Sequence, residues 1–176
     1  MSLVTYLPKI DLKARWAEVL LMSELQNLPF KVELNEWGHI MMSPASNKHG
    51  YLQTLLAAFL HGQKKEGGVI TECSVLTRKG VKVADVVWFS AAFLDEQGLA
   101  TPFGRAPELC IEIISPSNTM GEMTEKIDLY LAKGAREVWL CDEEGVLKFY
   151  SYEGALGSSQ LFPEAETELD LGLGGG

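Results

Sequence analysis

No apolar run in this 176-residue chain is long enough to cross a membrane. The run 83–87 is interrupted by Asp85 and falls far short of the roughly 20 residues that span a bilayer, so no membrane role is expected. Cysteine is scarce too. Cys73, Cys110 and Cys141 form no CxxC pair, each lies in an apolar segment, and they read as small core residues. Met1 to Asp11 lacks the basic start and long apolar stretch of a secretory leader, which makes the cytoplasm the expected compartment. Basic charge is also short: 15 Lys and Arg against 24 Asp and Glu leave a net charge of −9. That balance argues against a simple nucleic-acid coat, whose affinity rests on Lys and Arg. It leaves room for a nuclease, because carboxylates that hold divalent cations add negative charge themselves and the bound metal offsets it. Gly-rich phosphate loops are absent. No G-x-S-x-G elbow surrounds Ser115 or Ser117, and turn and capping chemistry accounts for both serines.

What is present is an ordinary globular composition, 47% hydrophobic and 22% charged, in a chain long enough to bury a core without a disulfide or metal staple. One domain is expected over residues 1–170, with 171–176 as a flexible Gly-rich tail. Apolar residues at helical spacing (Leu12, Trp16, Val19, Leu20, Leu25) predict a helix over 11–28, capped by Asp11 and stopped by Pro29. A hairpin of Phe30–Leu34 and 38–42 follows, then a helix from Ser46 or Asn47 to His61. β-Branched runs at 69–76 and 81–89 predict a second hairpin, and 90–99 a short helix or loop. A buried strand over 108–114 leads to a helix capped by Ser117, reaching Lys133 and ended by Gly134. Strands at Glu137–Cys141 and 146–152 complete the pattern, with a weaker one at 160–162. This order describes an α/β protein, a mixed central sheet flanked by helices.

Chemistry shows where a polar residue interrupts an apolar strand, because burying an unpaired carboxylate is costly. Asp85 lies inside Val83-Ala84-Asp85-Val86-Val87-Trp88, and Glu112 inside Leu109-Cys110-Ile111-Glu112-Ile113-Ile114. Strands alternate faces, so either acid alone could simply point into water. On the helix after Glu112, Met123, Ile127 and Tyr130 share one face and Lys126 sits at its edge, able to lean toward the sheet. An isolated lysine there would be read as snorkelling or as an i,i+4 partner of Glu122. Together, two strand acids and a helix amine are what metal-assisted phosphodiester hydrolysis needs: hard oxygen ligands for Mg²⁺ or Mn²⁺ and an ammonium for developing negative charge.

The segments that carry these residues resemble the Uma-two family of endonucleases, a branch of the PD-(D/E)XK restriction-endonuclease-like superfamily. Val83-Ala84-Asp85-Val86 is similar to the family's PDV strand. Pro107 to Ser117 is similar to its P-x-L-x-x-E-V-x-S-P-S segment, and Lys126, Tyr130, Gly134 and Glu137 to Asp142 to its K-x3-Y-x3-G-x2-E-Y-W-L-x-D run. Upstream, Val32-Glu33-Leu34-Asn35, Met42-Ser43-Pro44 and His49-Gly50 follow the family's E-L-x-x-G…M-S-P…H pattern. The resemblance implies a restriction-endonuclease-like fold and a DNA endonuclease with Asp85, Glu112 and Lys126 as catalytic residues. It further implies a divalent metal on Asp85, Glu112 and the Ile113 carbonyl, with Glu33 and His49 in secondary roles. In the usual motif the lysine lies two residues beyond the acid; here Ile114 stands there, and the amine has migrated to Lys126. Ala84 replaces the proline of PD, a change that leaves every catalytic group in place. Cutting both strands of a duplex is easily done by two symmetric sites, so a homodimer is expected. The rival reading is a non-catalytic nucleic-acid or protein-binding module on the same fold, favoured by the acidic charge and only four arginines, Arg15, Arg78, Arg105 and Arg136.

Overall fold

The computed structural model describes residues 10–63 and 65–172. Residues 173–176, most of the expected tail, lie outside the described residues. The Asp11 carboxylate accepts from the amides of Lys13 and Ala14 and so starts α1 (Leu12–Leu21). The helix is shorter than the expected 11–28. At Met22 the backbone turns extended (φ −71°, ψ 111°), and a 3-10 turn, Ser23–Leu25, brings Leu25 against the core instead. β1 (Phe30–Leu34) then pairs antiparallel with β2 (Ile40–Pro44) in a separate two-stranded sheet. β2 begins two residues later than expected. The Asn35 side chain accepts from the amides of Trp37 and His39 and closes a turn that includes Gly38 at φ 76°.

Ser46 caps α2 (Asn47–Gly62) by accepting from the His49 amide. The main sheet runs in the order β3 (Gly67–Thr77), β4 (Gly80–Ser90), β5 (Leu109–Ile113), β6 (Glu137–Cys141), β7 (Leu147–Ser151) and β8 (Gly154–Leu156). All neighbours are antiparallel except β5 and β6. That parallel pair is joined across α4 (Met120–Ala132), as a parallel pair must be joined by a crossover. α3 (Ala91–Gln97), capped by Ser90, follows β4. Leu52, Leu56 and Leu60 of α2 pack on one face of the sheet; Phe93 of α3 and Met123, Ile127 and Tyr130 of α4 pack on the other. Covered on both faces, β5 and β6 are buried at every residue, which is why they read as apolar runs broken only by Glu112 and Glu137. Trp16 and Val19 of α1 join Leu34 of β1 and Val81 and Val83 of β4 in a smaller cluster that holds the two sheets together. At Gly80 (φ 106°) a Cβ would collide with the Leu34 carbonyl, so this turn needs glycine to let β1 approach. The expected α/β architecture is the observed one.

Two further expectations are corrected. α4 is capped by Thr119, not Ser117, because Glu122 stands three residues after Thr119 and closes a capping box with it. Residues 160–162 form no strand: the amides of Gln160 and Leu161 donate to the Glu137 carboxylate, and the sheet edge is β8. At the chain's end the Leu171 side chain packs against the α2-facing core, and its carbonyl accepts from the Tyr51 hydroxyl at 2.9 Å. Among the described residues no helix is long and apolar enough to cross a membrane.

Candidate active site

The sheet register sets three carboxylates in one row. The β4–β5 ladder ends at Val86 opposite Ile111, which puts Asp85 and Glu112 on the next rung. The β3–β4 ladder runs through Thr71–Val86 and Cys73–Ala84 and skips the rung between them, where Glu72 faces Asp85. Glu72 adopts φ 54°, a left-handed conformation that a non-glycine residue rarely takes within a strand. Asp85 and Glu112 are buried, at 0% and 2% exposure, so each needs compensation.

The compensation comes from three elements. Lys31 and Glu33, two apart on β1, share a strand face and both point at the row. Lys31 Nζ donates to Asp85 Oδ1 at 2.7 Å and to Glu112 Oε2 at 3.2 Å. From α4, Lys126 Nζ donates to Glu112 Oε2 at 3.1 Å and to Glu33 Oε1 at 2.8 Å. Tyr130, one turn further along α4, donates its hydroxyl to Glu112 Oε1 at 2.6 Å. From the first turn of α2, His49 Nε2 lies 3.1 Å from Asp85 Oδ1. The Ile113 amide donates to Asp85 Oδ2 at 2.6 Å, and the Val83 amide to Glu33 Oε1 at 2.9 Å. A cavity of about 260 Å³ opens onto this cluster, with Lys31, His49, Glu72, Glu112, Ile113 and Lys126 in its wall.

Desolvation alone would raise the Asp85 pKa, but Lys31, His49 and the Ile113 amide hold it well below the usual carboxylate range. Glu33 follows the same pattern: burial opposes its charge, and Lys126 and Lys31 more than offset that and lower its pKa. Burial raises the pKa of Glu112; Lys126 and Lys31 pull against it, but the nearby charges of Asp85 and Glu33 add to the rise. Both lysines are kept charged, since the surrounding acids outweigh the desolvation that would lower them. The Asp85 bond raises His49 above the ordinary histidine value, against desolvation. The result is a largely buried set of paired charges, of the kind that can hold a hard cation and stabilise charge on a phosphate.

The structure brings together all the residues singled out in the sequence: Asp85, Glu112, Lys126, Glu33, His49 and Ile113. Asp85 and Glu112 are bridged by Lys31, whereas Lys126 bridges Glu112 and Glu33. Lys31 was missed. Its only signal was the i,i+2 spacing with Glu33 on a strand, which marks a shared face but no chemistry. Glu72 carried the stronger signal, an acid inside the β-branched run 69–76, the same irregularity that marked Asp85 and Glu112. Gln53, which donates to the Glu72 carboxylate at 2.8 Å and to the Asp85 carbonyl at 2.9 Å, had none. Tyr130 reads as core and is fully buried, but its hydroxyl also serves the site. His49, Glu72 and Asp85 each offer a ligand atom within 4.8 Å of the others, a second set that could hold a metal and shares only Asp85 with the expected one.

A mixed sheet flanked by helices, with buried acids and lysines gathered beside a cavity, places the chain in the class of restriction-endonuclease-like α/β proteins. The family model described as "Uma2: Putative restriction endonuclease" matches residues 16–173, and the chain belongs to that family. Among solved structures, the fold is similar to that of "a putative nuclease belonging to DUF820 from Anabaena variabilis ATCC 29413". The TM-score is 0.67 at 21% identity, over 89% of this chain and 94% of that one. Among curated proteins none matches.

Proposed function

We propose that the chain is a metal-dependent endonuclease that hydrolyses DNA phosphodiester bonds, with Asp85, Glu112 and Lys126 as its catalytic residues. The observation that carries the reading is the convergence of two buried strand acids and an ammonium from the next helix beside one cavity. The donor set fits a hard divalent cation such as Mg²⁺ or Mn²⁺: carboxylate oxygens on Asp85 and Glu112, joined by the Ile113 carbonyl. A cation held by these residues would acidify a bound water and offset negative charge on the phosphate. Lys126, fixed by Glu33 at 2.8 Å, holds its ammonium at the cavity wall, where it stabilises charge on the phosphoryl oxygens. Glu33 and His49 act in support, Glu33 by orienting Lys126 and His49 by orienting Asp85. In this reading one domain over residues 1–170 carries the site, the protein works in the cytoplasm, and two copies pair to cut both strands.

The test is cleavage of plasmid and of single-stranded DNA with Mg²⁺ or Mn²⁺, comparing wild type with Asp85→Ala and Lys126→Ala. Loss of about 10²-fold or more in rate is expected for each, the scale at which removing one such stabilising group acts. Metal-dependent nicking that persists unchanged in Asp85→Ala discards the assigned site. The net charge of −9 favours a second reading, a binding module that keeps the fold without cleaving. Wild type that binds metal calorimetrically but nicks neither substrate supports that module.

A further inference from the structure

Asp85 is completely buried and absent from the cavity wall, although its carboxylate is expected to hold the metal. Between it and the cavity stands Lys31, whose side chain is 10% exposed. The ammonium, 2.7 Å from Asp85 Oδ1 and 3.2 Å from Glu112 Oε2, occupies the position of a cation shared by the two acids. We propose that Lys31 is a resident counter-ion of the site, which a divalent cation displaces in order to reach Asp85 and Glu112. The inference rests on the metal-binding reading of these two acids.

The partners of the two carboxylates show why Lys31 is the one to leave. Asp85 Oδ2 is held by the Ile113 amide, part of the β5 backbone. Glu112 Oε1 is held by Tyr130, fully buried on α4. Lys126 has a second acid, Glu33 at 2.8 Å, which keeps it in place whatever happens at Glu112. Among the described residues Lys31 has no such anchor: its two acid partners there are the carboxylates that a metal would take. It also extends from the two-stranded sheet, so its movement disturbs no rung of the main sheet. An ammonium and a divalent cation between the same two carboxylates would set three positive charges against two negative ones at close range in a poorly solvated site, and one of them has to go. Once displaced, Lys31 still belongs to the cavity wall and adds a second ammonium to Lys126 on the side open to a phosphate.

The experiment is a calorimetric titration of the full chain with Mn²⁺ and with Mg²⁺, comparing wild type, Lys31→Met and Lys126→Met. Lys31→Met is expected to bind about tenfold or more tightly than wild type, a difference of about 1.4 kcal/mol. Its metal-free form should melt below wild type, and saturating Mn²⁺ should close that gap. Lys126→Met controls for simple loss of a nearby positive charge and should tighten binding far less. Affinity in Lys31→Met no better than wild type, or an equal gain in Lys126→Met, overturns the proposal. Should Lys31→Met fail to fold without metal, Lys31→Arg keeps the charge; it is expected to bind metal no more tightly than wild type, and tighter binding overturns the proposal. If neither wild type nor any variant binds metal, the metal reading itself fails. Binding that ignores Lys31 removes only this inference.

Discussion

The Tyr130 hydroxyl donates to Glu112 Oε1 at 2.6 Å, with both groups shut away from water. Burial, with the Glu112 charge beside it, raises the phenol well above its usual pKa, so Tyr130 is a fixed donor and not an acid. Tyr130→Phe keeps the ring and strands Oε1 in the core. The expected cost is about 1–3 kcal/mol in stability, that of leaving a buried acceptor unpaired. If Glu112 holds the metal, nicking should also fall by about 10–100-fold, the usual loss when the group that orients a ligand is removed. Urea denaturation and a nicking assay measure the two effects, and a variant matching wild type in both rules out the orienting role.

How far the sequence reveals this protein depends on what each signal encodes. β4, β5 and β6 were legible because strands covered on both faces are apolar at most positions, and Asp85 on β4 and Glu112 on β5 stood out as acids flanked by apolar residues on both sides. Tertiary hydrogen bonds were not legible. The Gln160 and Leu161 amides look free to form a strand until Glu137, 23 and 24 residues away, accepts from them. The end of α1 at Leu21 likewise depends on Leu25 packing from a separate turn, which helical spacing cannot show. Lys31 was invisible for the same reason: it lies 54 positions before Asp85, a gap closed by the packing of β1 onto β4.

Glu137 gives a prediction that separates stability from chemistry. This buried carboxylate accepts from Trp139 Nε1 at 2.9 Å, the Ser159 hydroxyl at 2.7 Å and the amides of Gln160 and Leu161 at 2.7 and 2.8 Å. It pairs with Leu109, at the opposite end of β5 from the Glu112 rung. Glu137→Ala leaves four donors without their acceptor, and the expected destabilisation is about 2–4 kcal/mol in urea. Nicking by the folded fraction should stay close to wild type. A large loss of activity at full folding would show that the 159–161 segment communicates with the site.

The three free cysteines should be silent. Burial alone pushes Cys73 up to about 12; burial, with Asp142 and Asp85 beside it, brings Cys141 to about 12 as well, and Cys110 is raised well above its ordinary value. Thiolate is the reactive form, so iodoacetamide at about pH 8 should add nothing to the folded protein within an hour, and three adducts once it is unfolded in about 6 M guanidinium. Mass spectrometry counts the adducts. Rapid labelling of the native chain would place at least one thiol in contact with solvent.

His49 predicts the sign of a pH dependence. Its contact with Asp85 raises its folded pKa above the ordinary value of 6.5, against the desolvation that would lower it. A raised histidine contributes stability that is complete below the unfolded pKa and disappears as pH rises through the folded one. Asp85 behaves in the opposite sense: its depressed pKa gives a contribution present above the ordinary carboxylate value of 3.8 and lost only on strong acidification. Both contributions are therefore present at about pH 5.5, below the ordinary histidine pKa, and as pH rises through the raised folded pKa of His49 its contribution is lost while that of Asp85 persists. In metal-free buffer with chelator, His49→Asn should melt about 2–4 °C below wild type at that pH, the shift expected from roughly 1 kcal/mol in a chain of this length. The gap should narrow as pH rises through the folded pKa of His49 and the imidazolium charge beside Asp85 is lost. Calorimetric scans across that range read the difference directly. A gap of constant size, or one that widens with pH, would mean that the His49–Asp85 contact does not depend on the histidine's charge.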